Sequence, residues 1–446
     1  MKILVLLVFI LLNISLSKEI LTEDKLKNFM TEDNPNIYSI LGKKYIYKAK
    51  IKYFKGNFDT KLKASYEEKN YPISKGKYYD FFIEKPIFYG FDLKAGYRYA
   101  EGVQEYNNIK TSKEGEAVIG LSLPVINLIS QIDIRRLNLF KARNFYKNVD
   151  FETKDKLRKF YFKVLKTYYK TVFYKKVFKL EKQLLEKAKK RLKFIKRKIE
   201  EGLLPQIYLV EANQHIVNRR QRLLKAKNEY QNSLNELLTL LNLNKEEFNK
   251  KYTLPEDLKL PTLNISFEEA LNIAKQNRPD LFQFKYQMKI LNLEEKYYRL
   301  LSYPNINLDM YMTKDFKYDY GFKFVLNADY YIERRKYLGK MVEIKKGKAL
   351  IKNKYDSKIM QINVKIKNIF NTLKTLQQNI QNAKNEVSLV QKLENAERRK
   401  FILGRSDLFY LNQREIYTLK TIKKYLYYKF DYIVNYKKLF IELGVF

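Results

Sequence analysis

The chain has 446 residues, with 88 Lys and Arg against 49 Asp and Glu, a formal net charge of +39, no Cys, no Trp and one His. These counts exclude a disulfide framework, a thiol nucleophile, a Cys-type zinc site and a His-cluster metal centre. With 46% hydrophobic and 15% aromatic residues there is ample apolar surface for a folded chain, and the length allows two or three ordinary domains.

Lys2 precedes an apolar run from Ile3 to Ile14, and Ser15-Leu16-Ser17 places small residues where a signal peptidase reads. Residues 1–17 are therefore expected to be a signal peptide, cleaved between Ser17 and Lys18. The run is too short to span ~30 Å of hydrocarbon. No other stretch approaches 18 apolar residues, so no transmembrane helix is expected.

Residues 18–253 read as a first structural repeat. Strands are expected over about 57–123, where apolar and polar residues alternate; eight of the 14 Gly fall between Gly42 and Gly120. Phe58, Thr60, Leu62, Ala64 and Tyr66 share one face, as do Phe91, Leu93, Ala95, Tyr97 and Tyr99; Tyr79–Ile83 and Val118–Leu121 are candidates for two further strands. Segments of about nine or ten residues, apolar on one side and ending in aromatics, suit strands crossing an outer membrane, although a half-buried soluble sheet shows the same alternation. Residues 125–201 contain neither Gly nor Pro, so a single helix there would reach on the order of 115 Å at 1.5 Å per residue. Gly202 then turns the chain into a second long helix, over about 206–243, with Ala212, Ile216, Arg219, Leu223, Ala226, Tyr230, Ser233, Leu237 and Leu240 spaced by threes and fours.

A Pro-punctuated linker, 254–263, leads to a second repeat, 264–446. Ser266 and Glu269 form a capping box that starts a short helix. Strands over about 305–328 follow, then helices over about 335–403 and 405–443 around Gly404. Ile359, Ile362, Ile366, Ile369, Leu373, Leu376, Ile380, Ala383, Val387 and Val390 make an unbroken a/d seam. The two repeats are in register: Asn34-Pro35 parallels Arg278-Pro279, Gly202 parallels Gly404, and Leu240–Leu243 parallels Glu442–Val445. Four to six strands cannot close a membrane barrel, whose smallest form has eight, and unpaired edges are not tolerated in lipid. If the strands enter a membrane, several copies must share one barrel.

For an exported chain a net charge of +39 does not point to nucleic acid; Lys spread along helices reads as a solvated face. GxSxG, GxGxxG and GxxxxGK are absent, and His215 has no second His, so no catalytic, cofactor-binding or metal-binding residue is expected.

The stretch Arg197-Lys198-Ile199-Glu200-Glu201-Gly202-Leu203 leading to Val210-Glu211-Ala212 is matched by Arg399 to Asp407 leading to Leu411-Asn412-Gln413. With Ser266 to Leu271, Asn277-Arg278-Pro279-Asp280-Leu281 and Tyr303-Pro304-Asn305, the duplicated pattern resembles the TolC-like outer-membrane efflux proteins over essentially the whole mature chain. The resemblance implies a mainly α fold with a membrane β part: a homotrimer with a twelve-stranded outer-membrane barrel, four strands per chain, continued by a periplasmic α-helical barrel. It implies the passive exit duct of a tripartite efflux or type I secretion system, whose partners are a periplasmic adaptor and an inner-membrane transporter. In such proteins the adaptor meets helix-hairpin tips; the matching residues are Glu201, Gly202, Leu203, Leu403, Gly404 and Arg405. Acidic residues often narrow the pore beyond the second tip, whereas the matching positions hold Phe409 and Asn412, with Asp407 the nearby carboxylate. An acidic ring, an apolar gate of Phe409 and Tyr410, and no tight gate all stay open. The sequence ends two residues past Gly444, so no tail around the tube is expected. The competing reading is a periplasmic coiled-coil adaptor or other structural interaction protein, which would carry one helical hairpin rather than two repeats.

Overall fold

The computed structural model describes residues 18–445 except 71, 73–74, 102–104, 107–108 and 111–113; the expected signal peptide lies outside them. In the first repeat, β1 (Glu19–Ile20) and α1 (Glu23–Leu26) precede α2 (Pro35–Lys55), followed by β2 (Lys61–Asn70), β3 (Lys75–Pro86), β4 (Asp92–Glu101), the short pair β5 (Glu105–Tyr106) and β6 (Ile109–Lys110), and β7 (Glu116–Pro124). Helices α3 (Val125–Ser130), α4 (Ile134–Glu200), α5 (Ile207–Leu241) and α6 (Lys245–Lys251) complete it, and β8 (Tyr252–Thr253) pairs in parallel with β1. The second repeat runs α7 (Phe267–Asn277), α8 (Pro279–Arg299), β9 (Asn305–Asp315), β10 (Tyr320–Asp329), α9 (Arg335–Ile402) and α10 (Leu408–Leu443).

Three expectations are corrected. The helix expected over 125–201 is broken, because Gln131 takes a left-handed conformation (φ 55°) and Asp133 starts a new helix, its carboxylate accepting from the Arg136 amide at 2.9 Å. A 21-residue helix also stands between each Pro and the strands, α2 after Asn34 and α8 after Arg278, with Pro at the first helical position. Strand β2 begins at Lys61, so Phe58 and Thr60 lie before it, Phe58 in a 3-10 turn.

The chain divides into two compact units. The first takes residues up to Leu41, Lys154–Arg278 and Ile359 onward. Its core lies where Tyr161, Val164, Leu165 and Tyr168 of α4 meet Leu234, Leu237 and Leu241 of α5 and Ile433 and Ile441 of α10. The expected a/d seam of α9 is buried at Ile362, Ile366, Ile369, Leu373, Leu376, Ile380, Ala383 and Val390. The duplication is visible in the contacts. Asn34 donates from Nδ2 to the Leu240 carbonyl at 2.9 Å, and Arg278, at the matching position, donates from Nη1 to the Glu442 carbonyl at 2.8 Å. Both receiving helices end in left-handed residues, Asn242 and Gly444. Ser266 and Glu269 form the expected capping box.

The second unit takes Gly42–Thr153 and Pro279–Lys358. Its sheet has six strands in the order β10-β9-β7-β4-β3-β2, every neighbouring pair antiparallel. Tyr79–Ile83 and Val118–Leu121 both lie in strands of this sheet, β3 and β7, so it has the upper number of the four to six that the sequence left open, two more than the four per chain of the resemblance. The turn joining β3 to β4 is fastened to the start of α4: Arg136 donates to the carbonyls of Tyr89 and Asn127 at 3.2 and 2.7 Å. Gly90 (φ 101°) must be Gly here, since a Cβ would sit 2.4 Å from the Arg136 guanidinium. Four helix segments form a layer in this unit. Lys43 and Lys44 of α2 pair with Glu152 and Asp150 of α4, Phe151 of α4 stacks on Phe282 and Tyr286 of α8, and Lys348 of α9 pairs with Glu295 of α8.

Candidate functional site at the helix tips

The two hairpin tips are the same structure built twice. Gly202 has φ 73° and Gly404 φ 70°, the left-handed conformation that closes a helix. The Leu203 amide donates to the Lys198 carbonyl at 2.8 Å, and the Arg405 amide to the Lys400 carbonyl at 2.8 Å. The Gly202 and Gly404 amides reach Ile199 and Phe401 at 2.9 and 3.1 Å. These six-to-one and five-to-two hydrogen bonds satisfy carbonyls that a helix end otherwise leaves open. Each tip then projects a leucine into solvent, Leu203 61% exposed and Leu403 67%. Glu201 and Arg405 are exposed beside them.

One small core joins the tips: Ile195, Ala212, Phe401, Leu408 and Leu411, with Leu204 and Tyr208 packed against it. Tyr208 donates its hydroxyl to Asp407 Oδ1 at 2.6 Å, so the one carboxylate near the second tip that could have served an acidic ring is engaged by the first hairpin. That hydrogen bond, with burial and the nearby charge adding to it, pushes the Tyr208 hydroxyl up from its ordinary value. Asn412 is buried and accepts from Arg191 at 2.7 Å. Phe409 and Tyr410 are exposed and meet edge to face at 5.7 Å. Thus Asp407 and Asn412 are drawn into contacts that bind the hairpins together, while Phe409 and Tyr410 are left outside them.

A second feature, not read from the sequence, lies in the same unit. The buried Glu415 of α10 pairs with Arg191 of α4, with Arg398 of α9 at 3.4 Å and with Arg219 of α5 at 3.7 Å, so one carboxylate is shared by all four long helices. Glu394 shares the same Arg398 nitrogen, Nη2, at 2.7 Å. A carboxylate buried without such partners would cost several kcal/mol, so the knot holds the four helices in one relative register. His215 is close to this positive cluster; burial first, then the Arg219 and Arg191 charges, press its imidazole down to about 4. Arg219 occupies a seam position that the sequence marked only as polar. No spacing rule links residues 191, 219, 398 and 415.

No protein-family model and no curated protein matches the chain. Solved structures do match. The chain is similar to the outer membrane protein VceC from the bacterial pathogen Vibrio cholerae, with TM-score 0.73 and 10% identity over 95% of this chain and 96% of that one. It is the fold of an outer-membrane channel. The Campylobacter jejuni CmeC outer membrane channel gives TM-score 0.67 and 13% identity over 96% and 89% of the two chains. The open state of the Neisseria gonorrhoeae MtrE outer membrane channel gives 0.68 and 13% over 95% and 89%.

Proposed function

We propose that the chain is one wall segment of an outer-membrane exit duct, three copies of which close a β-barrel in the membrane and a helical tube in the periplasm. The duct is passive: solutes reach it from an inner-membrane pump through a periplasmic adaptor. One observation carries this reading. A single row of cross-strand partners, Leu62, Ile83, Ala95, Ile119, Met312 and Phe322, crosses the sheet on one face. Every member is apolar, and the end members are 70% and 71% exposed. A soluble sheet buries such a face, whereas a barrel in lipid presents it outward. The opposite face carries cross-strand polar pairs, Arg98 with Asp80 at 2.8 Å and with Glu116 at 3.0 Å. Among the described residues no helix is long and apolar enough to cross a membrane.

The exposed Leu203 and Leu403 on matched glycine turns support these tips, with Glu201, Gly202, Gly404 and Arg405, as adaptor contacts. Phe409 and Tyr410 are the residues left free to narrow the opening, since Asp407 is held by Tyr208. The adaptor reading for the chain itself is disfavoured by its two complete hairpins and six-stranded apolar sheet.

The test is to fractionate outer membranes, extract in mild detergent, measure particle mass and record single-channel conductance in planar bilayers. A three-chain particle that conducts is expected; a stable non-conducting monomer refutes the reading. Leu203→Asp with Leu403→Asp should abolish capture of the adaptor while conductance persists.

A further inference from the structure

The sheet has two open edges, and what lies between them exceeds the wall segment that the resemblance implies. We propose that the whole six-stranded sheet is membrane wall, so that β10 of each copy pairs antiparallel with β2 of the next and three copies close an eighteen-stranded barrel. This rests on the exit-duct reading and sets the size of its ring.

Three observations exclude an appendage. First, β2 and β3 obey the same two-faced pattern as the other strands. Leu62, Ala64 and Tyr66 stand opposite Ile83, Phe81 and Tyr79 on the apolar face, and these continue onto Ala95, Tyr97 and Tyr99 of β4. The three tyrosines Tyr66, Tyr79 and Tyr99 form a run of ring contacts at 5.1 and 5.6 Å, as an aromatic girdle does at a membrane interface. On the other face Lys63 pairs with Glu84 at 2.6 Å and Glu84 with Lys94 at 3.8 Å, extending the polar side onto β2.

Second, the edge strands are tied to the outer helices of the layer beside them. Within this unit the helix segments neighbour one another in the order α2, α4, α8, α9. Strand β2 follows α2 across residues 56–60, and β10 leads into α9 across 330–334. Neither link has the length to let an edge strand leave its helix. The extra hairpin is therefore inserted between the edges, not hung outside one.

Third, the edges suit each other: β2 and β10 have 10 residues each, and in an alternating sheet of six strands they run in opposite directions, as antiparallel closure requires. Left open in lipid, the backbone groups along them would have no hydrogen-bond partner.

The direct test is single-particle imaging of the full-length protein extracted from outer membranes, counting strands in the ring. Eighteen strands with β10 beside β2 of the next copy is the expected result. A twelve-stranded ring, whether from two copies or from three with β10 beside β4, overturns the proposal and leaves the exit duct standing; a monomer overturns both. Disulfide trapping gives an independent readout, because the natural chain has no cysteine. Leu62→Cys, Ala64→Cys or Tyr66→Cys combined with Phe322→Cys, Phe324→Cys or Leu326→Cys should give covalent dimers and trimers on oxidation. Cross-links only between those β10 positions and Leu93→Cys, Ala95→Cys or Tyr97→Cys would refute it.

Discussion

Asn34 and Arg278 occupy the same place in the two repeats and hold the same kind of helix end, one with a neutral amide and the other with a charge. Replacing each isolates what the charge adds. Arg278 is 2% exposed and bonds both the carbonyl and the carboxylate of Glu442. Removing one partner of a buried ion pair costs about 3–5 kcal/mol, because the other is left unpaired. The Asn34 side chain makes four neutral hydrogen bonds, donating to the carbonyls of Leu240 at 2.9 Å and Phe29 at 3.5 Å and accepting from the Asn36 amide and side chain at 3.0 and 3.1 Å. With the two shortest carrying ~1 kcal/mol each and the part-buried others adding little, Asn34→Ala should cost about 2 kcal/mol. Arg278→Met should therefore exceed Asn34→Ala by about 2 kcal/mol, roughly 30-fold in the unfolding equilibrium. The difference depends on pH. Burial would raise the Glu442 carboxyl, but the Arg278 hydrogen bond and charge, with Lys365 and Arg158, outweigh it and hold the group below its ordinary value. A depressed carboxylate contributes stability above its unfolded value near ~4.3 and loses it as pH falls through the folded value, so the two costs should start to converge once pH drops below ~4.3. Guanidinium unfolding of detergent-solubilised protein, followed by far-ultraviolet circular dichroism over a pH series from 7.5 downward, measures this. Equal costs for the two variants at pH 7.5, or a gap that never narrows as the series descends, would show that the charge is not what fastens the second repeat.

Gly202→Ala and Gly404→Ala meet no atom within 4 Å, so each should show only the left-handed strain of about 1–2 kcal/mol, while Gly444→Ala, whose Cβ would lie 2.8 Å from Asn277 backbone atoms, should cost clearly more in the same assay. His215 is held neutral in the folded state, so stability should fall as pH drops from 6.5 toward 4, and His215→Gln should flatten that slope; an unchanged profile would place the imidazole outside the arginine cluster. A Cβ on Gly120 would meet the Tyr311 ring at 2.6 Å, so Gly120→Ala should lower the yield of assembled channel in outer membranes and Tyr311→Ala should restore it. No recovery in the double variant would mean the ring is not the obstacle. Leu237→Ala, fully buried in the first unit's core, should cost about 2–5 kcal/mol in chemical unfolding, and a loss under about 1 kcal/mol would contradict that burial.

The sequence by itself determined what depends on residues close along the chain. The duplication, the a/d seam of α9, the Ser266 capping box, the glycine turns at 202 and 404 and the two-residue alternation of the strands are all local patterns, and each reappears in the structure. Even so, local pattern does not separate α2 and α8 from the strands that follow, although Pro35 and Pro279 mark their first turns, and the helix break at Gln131 carries no Gly or Pro to announce it. Tertiary structure alone decided the strand order and the four-helix pairing on Glu415. Strand order depends on which hydrogen-bonding edges meet, and β7 pairs with β9 across nearly two hundred residues without any local preference naming the partner. A buried carboxylate likewise takes whichever cations packing brings to it, so Arg191, Arg219 and Arg398 become one site only after four helices have come together.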